Sequence, residues 1–476
     1  MATDNLSIAV IGAGFSGTMT ALHLLKRGES AGLLLCERGQ SFARGLAYST
    51  NRADHLLNVR AANMSAFPDQ PNHFTAWIEK ALVSEVPDLK RHVQETAAGT
   101  FVSRELYGCY LSSLLESTIE SGTSQKLTLI PGEVVDLEPF SGGYRLVLAD
   151  GTSHAVSGAV LAVGNLVPSQ GNQGPYVTNP WNAPLSDDLV PDQPVVIIGT
   201  GLTMIDLVIH LRSTGFRGPV IAISRRGLRS HAHVQTTSWP TPEFTYLERS
   251  SALALARRVR REVAEAAQRG IAWQSVIDSL RPVTSVLWQG MPPTEQARFL
   301  RHLKPWWDIH RHRAAPPVAR LVASLMESGW LQIRAGRILS VETGGDGHVL
   351  MRYRPRGRPQ TVEIRAQRIL DATGTLGVDV AQDPLLVRLR ERGLVRPDRH
   401  GLGLDVTDDL RVIAKDGRVS PGLWALGPIV RGVLLECTAV PDIRRQAADL
   451  AVHVAATSHG AGQVTRPQGE SSVVHV

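Results

Sequence analysis

At 476 residues the chain sets 50 Lys and Arg against 44 Asp and Glu, a net charge of +6, with 43% hydrophobic and 20% charged residues. That length and composition suit two or three globular domains with substantial cores and exclude a disordered chain or one built on disulfides. No apolar run reaches the roughly 18 residues of a membrane-spanning helix, and a first strand near Leu6 leaves no room for a signal peptide, so no membrane partner and a cytoplasmic location are expected. The basic residues are dispersed rather than gathered on one module, so no nucleic-acid partner is expected.

The first element, LSIAVIGAGFSG (6–17), reads as a buried strand running through a glycine turn into a helix over 16–27. Gly12, Gly14 and Gly17 supply GxGxxG: the first permits the tight turn, the second lets a pyrophosphate approach the backbone, and the third lets helix and strand pack closely. The pyrophosphate then faces the helix N-terminus. Glu37 closes the strand LLLCE, followed by Arg38, and is placed to accept hydrogen bonds from an adenosine ribose. Next come a β-meander (127–156) and the apolar strand GAVLAVGN (158–165), which carries Gly164.

A second cradle opens at PVVIIGTGLTMIDLVIHL (194–211), with Gly199, Gly201 and Thr203 in its turn and Met204 at the third glycine position. Its second strand, VIAIS, ends in RRG with no acid. Arg225 and Arg226 there fit a 2′-phosphate, which favours NADPH over NADH. A second meander and the strand RILDATG (368–374), ending in Gly374, repeat the order of the first copy, so the chain contains an internal repeat.

The region between is rich in Trp and His. ARRVRREVAEAAQRG (256–270) has the spacing of a solvated helix. In DIHRHR (308–313), Asp308, His310 and His312 alternate as ligands on one face of a strand would, but the flanking arginines repel a cation, and no metal is expected. Arg311, Arg313, His231 and Trp306 are instead expected to contribute to a polar aromatic pocket for a small planar or anionic substrate. Cys36, Cys109 and Cys437 lie far apart with no CxxC, which removes a redox dithiol.

With two cradles, two meanders and two small-residue strand ends, the chain resembles the flavoproteins with two dinucleotide-binding domains, which include flavin-containing monooxygenases, N-hydroxylating monooxygenases and thioredoxin reductase. RGLAYST, HLLNVRAANMSAFPD, FVSRELYGCYL, SRRG, WWDIHRHRAAP and GVLLECTAVPDIRRQA resemble a bacterial FAD-NAD(P)-binding subgroup. The resemblance implies an α/β chain with two Rossmann-like domains, for FAD and NADPH, the second inserted into the first, each with a β-meander, plus a helical insertion. The FAD-binding domain is expected over 1–190 and 365–455, the NAD(P)H-binding domain over 191–364 with helices at about 230–330, and a disordered tail over 456–476.

By the same resemblance Asn58, six residues before Met64, lies near the reactive edge of the flavin. The C-terminal segment holding Gly427 passes the flavin, and a helix beginning at Val440 points its N-terminus at the pyrimidine carbonyl. N–H groups from about Val440 to Ile443 and the helix dipole are then expected to stabilise negative charge there. The implied activity is hydroxylation of a small polar nitrogen-containing molecule, a urate-like heterocycle or an amine or amino acid, with O2 through a flavin C4a-hydroperoxide. A reductase passing electrons to a quinone or protein carrier and a non-catalytic flavin-binding sensor are the alternatives.

Overall fold

The computed structural model describes residues 7–28, 32–83, 88–121, 126–168, 174–180, 185, 188–345, 347–374, 376–378 and 381–460. Two large sheets organise them. The core of the first runs, in spatial order, Arg411–Ile413, Val419–Ala425, Ser153–Leu161, Ser7–Ile11, Leu33–Glu37 and Leu127–Pro131, with the meander strands Val134–Phe140 and Gly143–Leu148 attached through Ser153–Leu161. The second runs Val362–Ala366, Val349–Pro355, Leu331–Thr343, Val220–Ser224, Val195–Ile198, Arg368–Asp371 and Tyr176–Val177.

The repeat seen in the sequence is a repeat of topology. In the first sheet, Ser7–Ile11 lies between its parallel partners Leu33–Glu37 and Ser153–Leu161, with Leu127–Pro131 outside. In the second, Val195–Ile198 lies between Val220–Ser224 and Arg368–Asp371, with Leu331–Thr343 outside. The central strands are covered on both faces, which explains their uninterrupted apolar runs. Because Arg368–Asp371 pairs in the second sheet, the chain returns to the first sheet only after it, later than the expected boundary at 365.

Helix Phe15–Arg27 follows the first turn and ends on Gly28, whose left-handed φ of +69° lets its N–H reach the Leu25 carbonyl. The last helix, Val440–Gly460, packs along it. It takes in residues 456–460, where the tail was expected to begin, while 461–476 lie outside the described residues. Residues 246–327 are a run of helices, the longest being Ala252–Gln268. Among the described residues no helix is long and apolar enough to cross a membrane.

Candidate cofactor and active site

In the first cradle close approach forces the glycines. Gly12 sits at φ +98°, and a Cβ there would stand 2.5 Å from the Ala162 carbonyl oxygen. A Cβ on Gly17 would collide with the Gly12 carbonyl. Gly14 caps the helix without a side-chain hydrogen bond, and the first turn holds no acid, so its backbone donors face outward for an anion. Gly45, at φ +54°, packs against Gly14, where a Cβ would lie 2.8 Å from the Gly14 Cα. Gly45 was not among the expected site residues, and its signal in the sequence was its place in RGLAYST. The turn therefore fits a pyrophosphate held by main chain alone.

Glu37 ends its strand as expected, but its carboxylate also ties the turn together, accepting from Ala13 N at 2.8 Å and Gly39 N at 3.2 Å. Arg38 reaches Asp383 at 3.3 Å and Glu133 at 3.8 Å. Gly164 turns at φ +71° in open space after its strand.

The second cradle repeats the first. Gly199 is at φ +111°, its would-be Cβ 2.6 Å from the Ala372 carbonyl, and Gly201 caps helix Leu202–Ser213 with no side chain and open space around it. Met204 is fully buried in the core, so the helix keeps its packing with a side chain where the first copy has Gly17. Thr203 lies in the first helical turn, and Gly374, at φ +102°, follows Arg368–Asp371 in open space. Ser224 takes the place that Glu37 holds in the first copy, with Arg225 one residue on. Arg225 is exposed, whereas Arg226 is half-buried and donates to the Arg301 carbonyl at 3.4 Å.

Three segments converge beside the first cradle. Gly427, at φ +76°, lies against Ser16 in the first helix, and its N–H donates to Gln446 at 3.2 Å. Arg444, in the last helix, donates to the Ser65 carbonyl at 2.8 Å, which fastens that helix to the loop after Asn58 and Met64. His233 Nε2 meets the Asn58 carbonyl at 2.9 Å, so that nitrogen carries the proton, because a carbonyl only accepts. Burial, with Arg313 the next cause, holds the His233 imidazole down to about 3, so it is neutral near pH 7. His233, two residues past the expected His231, is thus the histidine that touches the loop holding Asn58. Its signal was only its place in HAH.

Val440 opens the last helix, but the expected array of donors there is smaller. Asp442 and Ile443 donate to the Ala439 carbonyl and Pro441 has no N–H, which leaves the Val440 N–H and the helix dipole.

Arg311 and Arg313 are 9% and 2% exposed. Arg313 donates to Asp278, and Arg311 lies 3.7 Å from Glu436 and 3.9 Å from Asp442, which also takes a two-pronged contact from Arg281 at 2.9 and 3.1 Å. Two nitrogens on each of Arg311 and Arg313 are buried without a hydrogen-bond partner among the described residues. His231 is exposed and packs on Trp273 and His310 at 5.2 and 4.8 Å, while Trp306 is 43% exposed. The four residues therefore do not share one pocket wall: the arginines are inside, and His231 and Trp306 are at the surface.

The alternation in DIHRHR is not that of a strand. Lys304–Arg311 is helical, Asp308 binds Lys304 at 2.6 Å, and His310 faces the Trp306 carbonyl, so the supposed ligands point apart. No group of three or more potential metal ligands occurs among the described residues. All three cysteines are free thiols.

Residues 9–166 match the model of a family described as FAD-NAD(P)-binding. An uncharacterized protein of Mycobacterium tuberculosis is 22% identical over 486 residues, covering 89% of each chain. Among solved structures, ornithine hydroxylase from Pseudomonas aeruginosa superposes with a TM-score of 0.61 at 14% identity, over 95% of this chain and 99% of that one. The ornithine N-hydroxylase of Kutzneria superposes with 0.61 at 13% identity, over 95% and 100%. Cadaverine monooxygenase from Erwinia amylovora, bound to FAD, gives 0.58 at 11% identity, over 99% and 100%. Residues 9–166 thus match an FAD-NAD(P)-binding family, and the whole chain shares the fold of the ornithine hydroxylases and of cadaverine monooxygenase.

Proposed function

We propose that the protein is an FAD-dependent, NADPH-using monooxygenase that hydroxylates a small polar nitrogen-containing substrate. The observation that carries this is the duplicated cradle, two uncapped helix N-termini behind glycines whose carbonyl contacts leave no room for a side chain, in a chain with no dithiol. FAD, when bound, accepts hydride from NADPH and activates O2. The amine hydroxylases that share the fold make an amine or amino acid the first substrate class to try.

The protein's own residues then divide as follows. The first-cradle backbone and Glu37 hold the FAD pyrophosphate and ribose, and Gly427 with Val440 positions the far end of the cofactor. The Gly199–Gly201 turn holds the NADPH pyrophosphate. Asn58 presents its amide at the flavin edge, its loop fixed by His233 at one end and Arg444 at the other. Arg311 and Arg313 retain buried N–H groups that find no acceptor among the described residues, and a substrate carboxylate is a group that would satisfy them. The test is anaerobic mixing of the FAD-loaded protein with NADPH, followed by labelled oxygen and an amine. Flavin bleaching and one labelled atom in the product support the reading, and absence of bleaching ends it.

A further inference from the structure

A surface bay of about 590 Å³ lies beside the second cradle and is lined by Arg225, Arg337, Arg354, Arg356 and Arg358. Among the described residues none of the five has an ion-pair or side-chain hydrogen-bond partner. Other arginines of the same hairpin have partners: Arg352 meets Glu363 at 2.7 Å and Glu342 at 3.0 Å, and Arg334 donates to Gln332 at 2.6 Å. Arg337 and Arg354 stand directly opposite each other in the antiparallel register, an arrangement that costs stability while nothing negative lies near.

The internal repeat locates the bay. In the first copy Glu37 pairs with Pro131, and Gly132 and Glu133 follow. In the second, Ser224 pairs with Ala335, and Gly336 and Arg337 follow. Counted along the two copies, Arg38 corresponds to Arg225 and Glu133 to Arg337. The first copy makes an ion pair of these positions at 3.8 Å, whereas the second sets arginine against arginine. The bay lies where Val220–Ser224 ends and Leu331–Thr343, its parallel partner roughly 4.8 Å away, leaves that pairing after Ala335, next to the strand that enters the Gly199 turn. A dinucleotide whose pyrophosphate rests on that turn brings its adenosine ribose there.

We infer that the hairpin arginines Arg337, Arg354, Arg356 and Arg358 join Arg225 in binding the adenosine 2′-phosphate, and so set the preference for NADPH. This rests on the proposed use of the second cradle for NADPH. Guanidinium groups suit a phosphate because their planar donors bind two oxygens at once and stay charged. Their exposure allows them to be removed without touching the core.

The test is calorimetric titration of the FAD-loaded protein with 2′,5′-ADP and with 5′-AMP. It compares wild type, Arg225→Ala, Arg354→Ala, an R337A/R356A/R358A triple variant, and Arg145→Ala as a control in the corresponding hairpin of the first copy. Wild type is expected to favour 2′,5′-ADP by at least about 10-fold, Arg354→Ala to lose about 3- to 10-fold of that, and the triple variant to lose nearly all of it. Binding of 5′-AMP and the Arg145→Ala variant should not change. If only Arg225→Ala weakens 2′,5′-ADP binding, or if wild type shows no preference, the inference fails. If the hairpin variants lose 2′,5′-ADP binding but NADPH does not reduce the flavin, the inference stands and the proposed activity fails.

Discussion

Replacing Gly199 with alanine should separate the two cradles. The residue sits at φ +111°, which costs a side-chain-bearing residue about 1–3 kcal/mol in backbone strain. The new Cβ would stand 2.6 Å from the Ala372 carbonyl oxygen, where ordinary van der Waals contact begins at 3.4 Å. Ala372 belongs to the backbone that follows a central strand and has little freedom, so the turn must move instead. A shift of that size misaims at least one charge-assisted N–H bond to phosphate, about 1.5–3 kcal/mol, or roughly 10- to 150-fold in affinity. Gly199→Ala is therefore expected to be purified with a full complement of FAD but to need about 10- to 100-fold more NADPH for half-maximal flavin reduction. Absorbance after gel filtration reports the flavin, and anaerobic stopped-flow mixing reports its reduction. Wild-type half-saturation in the variant would refute the reasoning, and so would loss of FAD together with NADPH.

Other outcomes follow from the same geometry. Glu37→Ala removes an acceptor that orders the first turn as well as the expected ribose contact, and FAD should be lost on gel filtration while Gly199→Ala retains it. Arg104 donates to buried Asp206 at 2.8 Å, so Arg104→Met leaves a carboxylate without a partner and should cost about 3–5 kcal/mol, read as a lower urea midpoint. His233 stays neutral in the fold down to about 3, while in the unfolded chain it takes up a proton near 6.5. The unfolded state therefore binds more protons between those values, and stability falls as pH drops through that window by up to about 1.4 kcal/mol per unit. His233→Gln should flatten the decline in urea midpoint between pH 7 and pH 5; an unchanged slope would contradict this. Burial pushes Cys36 up to about 12 and Cys437 higher still, and a triple cysteine-to-serine variant that folds should keep its NADPH oxidation rate.

The cradles were legible because each is local. The strand, the turn and the helix that follows are adjacent in sequence, and the glycines are required by backbone contacts within that unit and with the next strand of the same sheet. The repeat was legible for the same reason, since both copies follow one order of elements. The region around DIHRHR was not. Its alternation has the period of a strand, yet residues 304–311 continue a helix, and the orientation of Arg311 is set by Glu436 and Asp442, more than 120 positions away in the chain. Trp306 and His231 were expected to share one pocket with the arginines, but burial there is decided by how the insertion packs on the last helix, which no local pattern records. The arginine bay escaped notice because its residues come from the end of one strand and a hairpin more than 110 residues later. Only the sheet register shows that Arg225 and Arg337 occupy the places where the first copy forms an ion pair.

The claim that oxygen reaches a substrate is tested most directly by following NADPH oxidation by the purified protein in air and measuring hydrogen peroxide in the same sample. The run is made first alone, then with urate, then with a panel of amines and amino acids. The account predicts that one compound accelerates NADPH consumption while peroxide formed per NADPH falls. Slow oxidation that yields peroxide in full with every compound, or none at all, would contradict it.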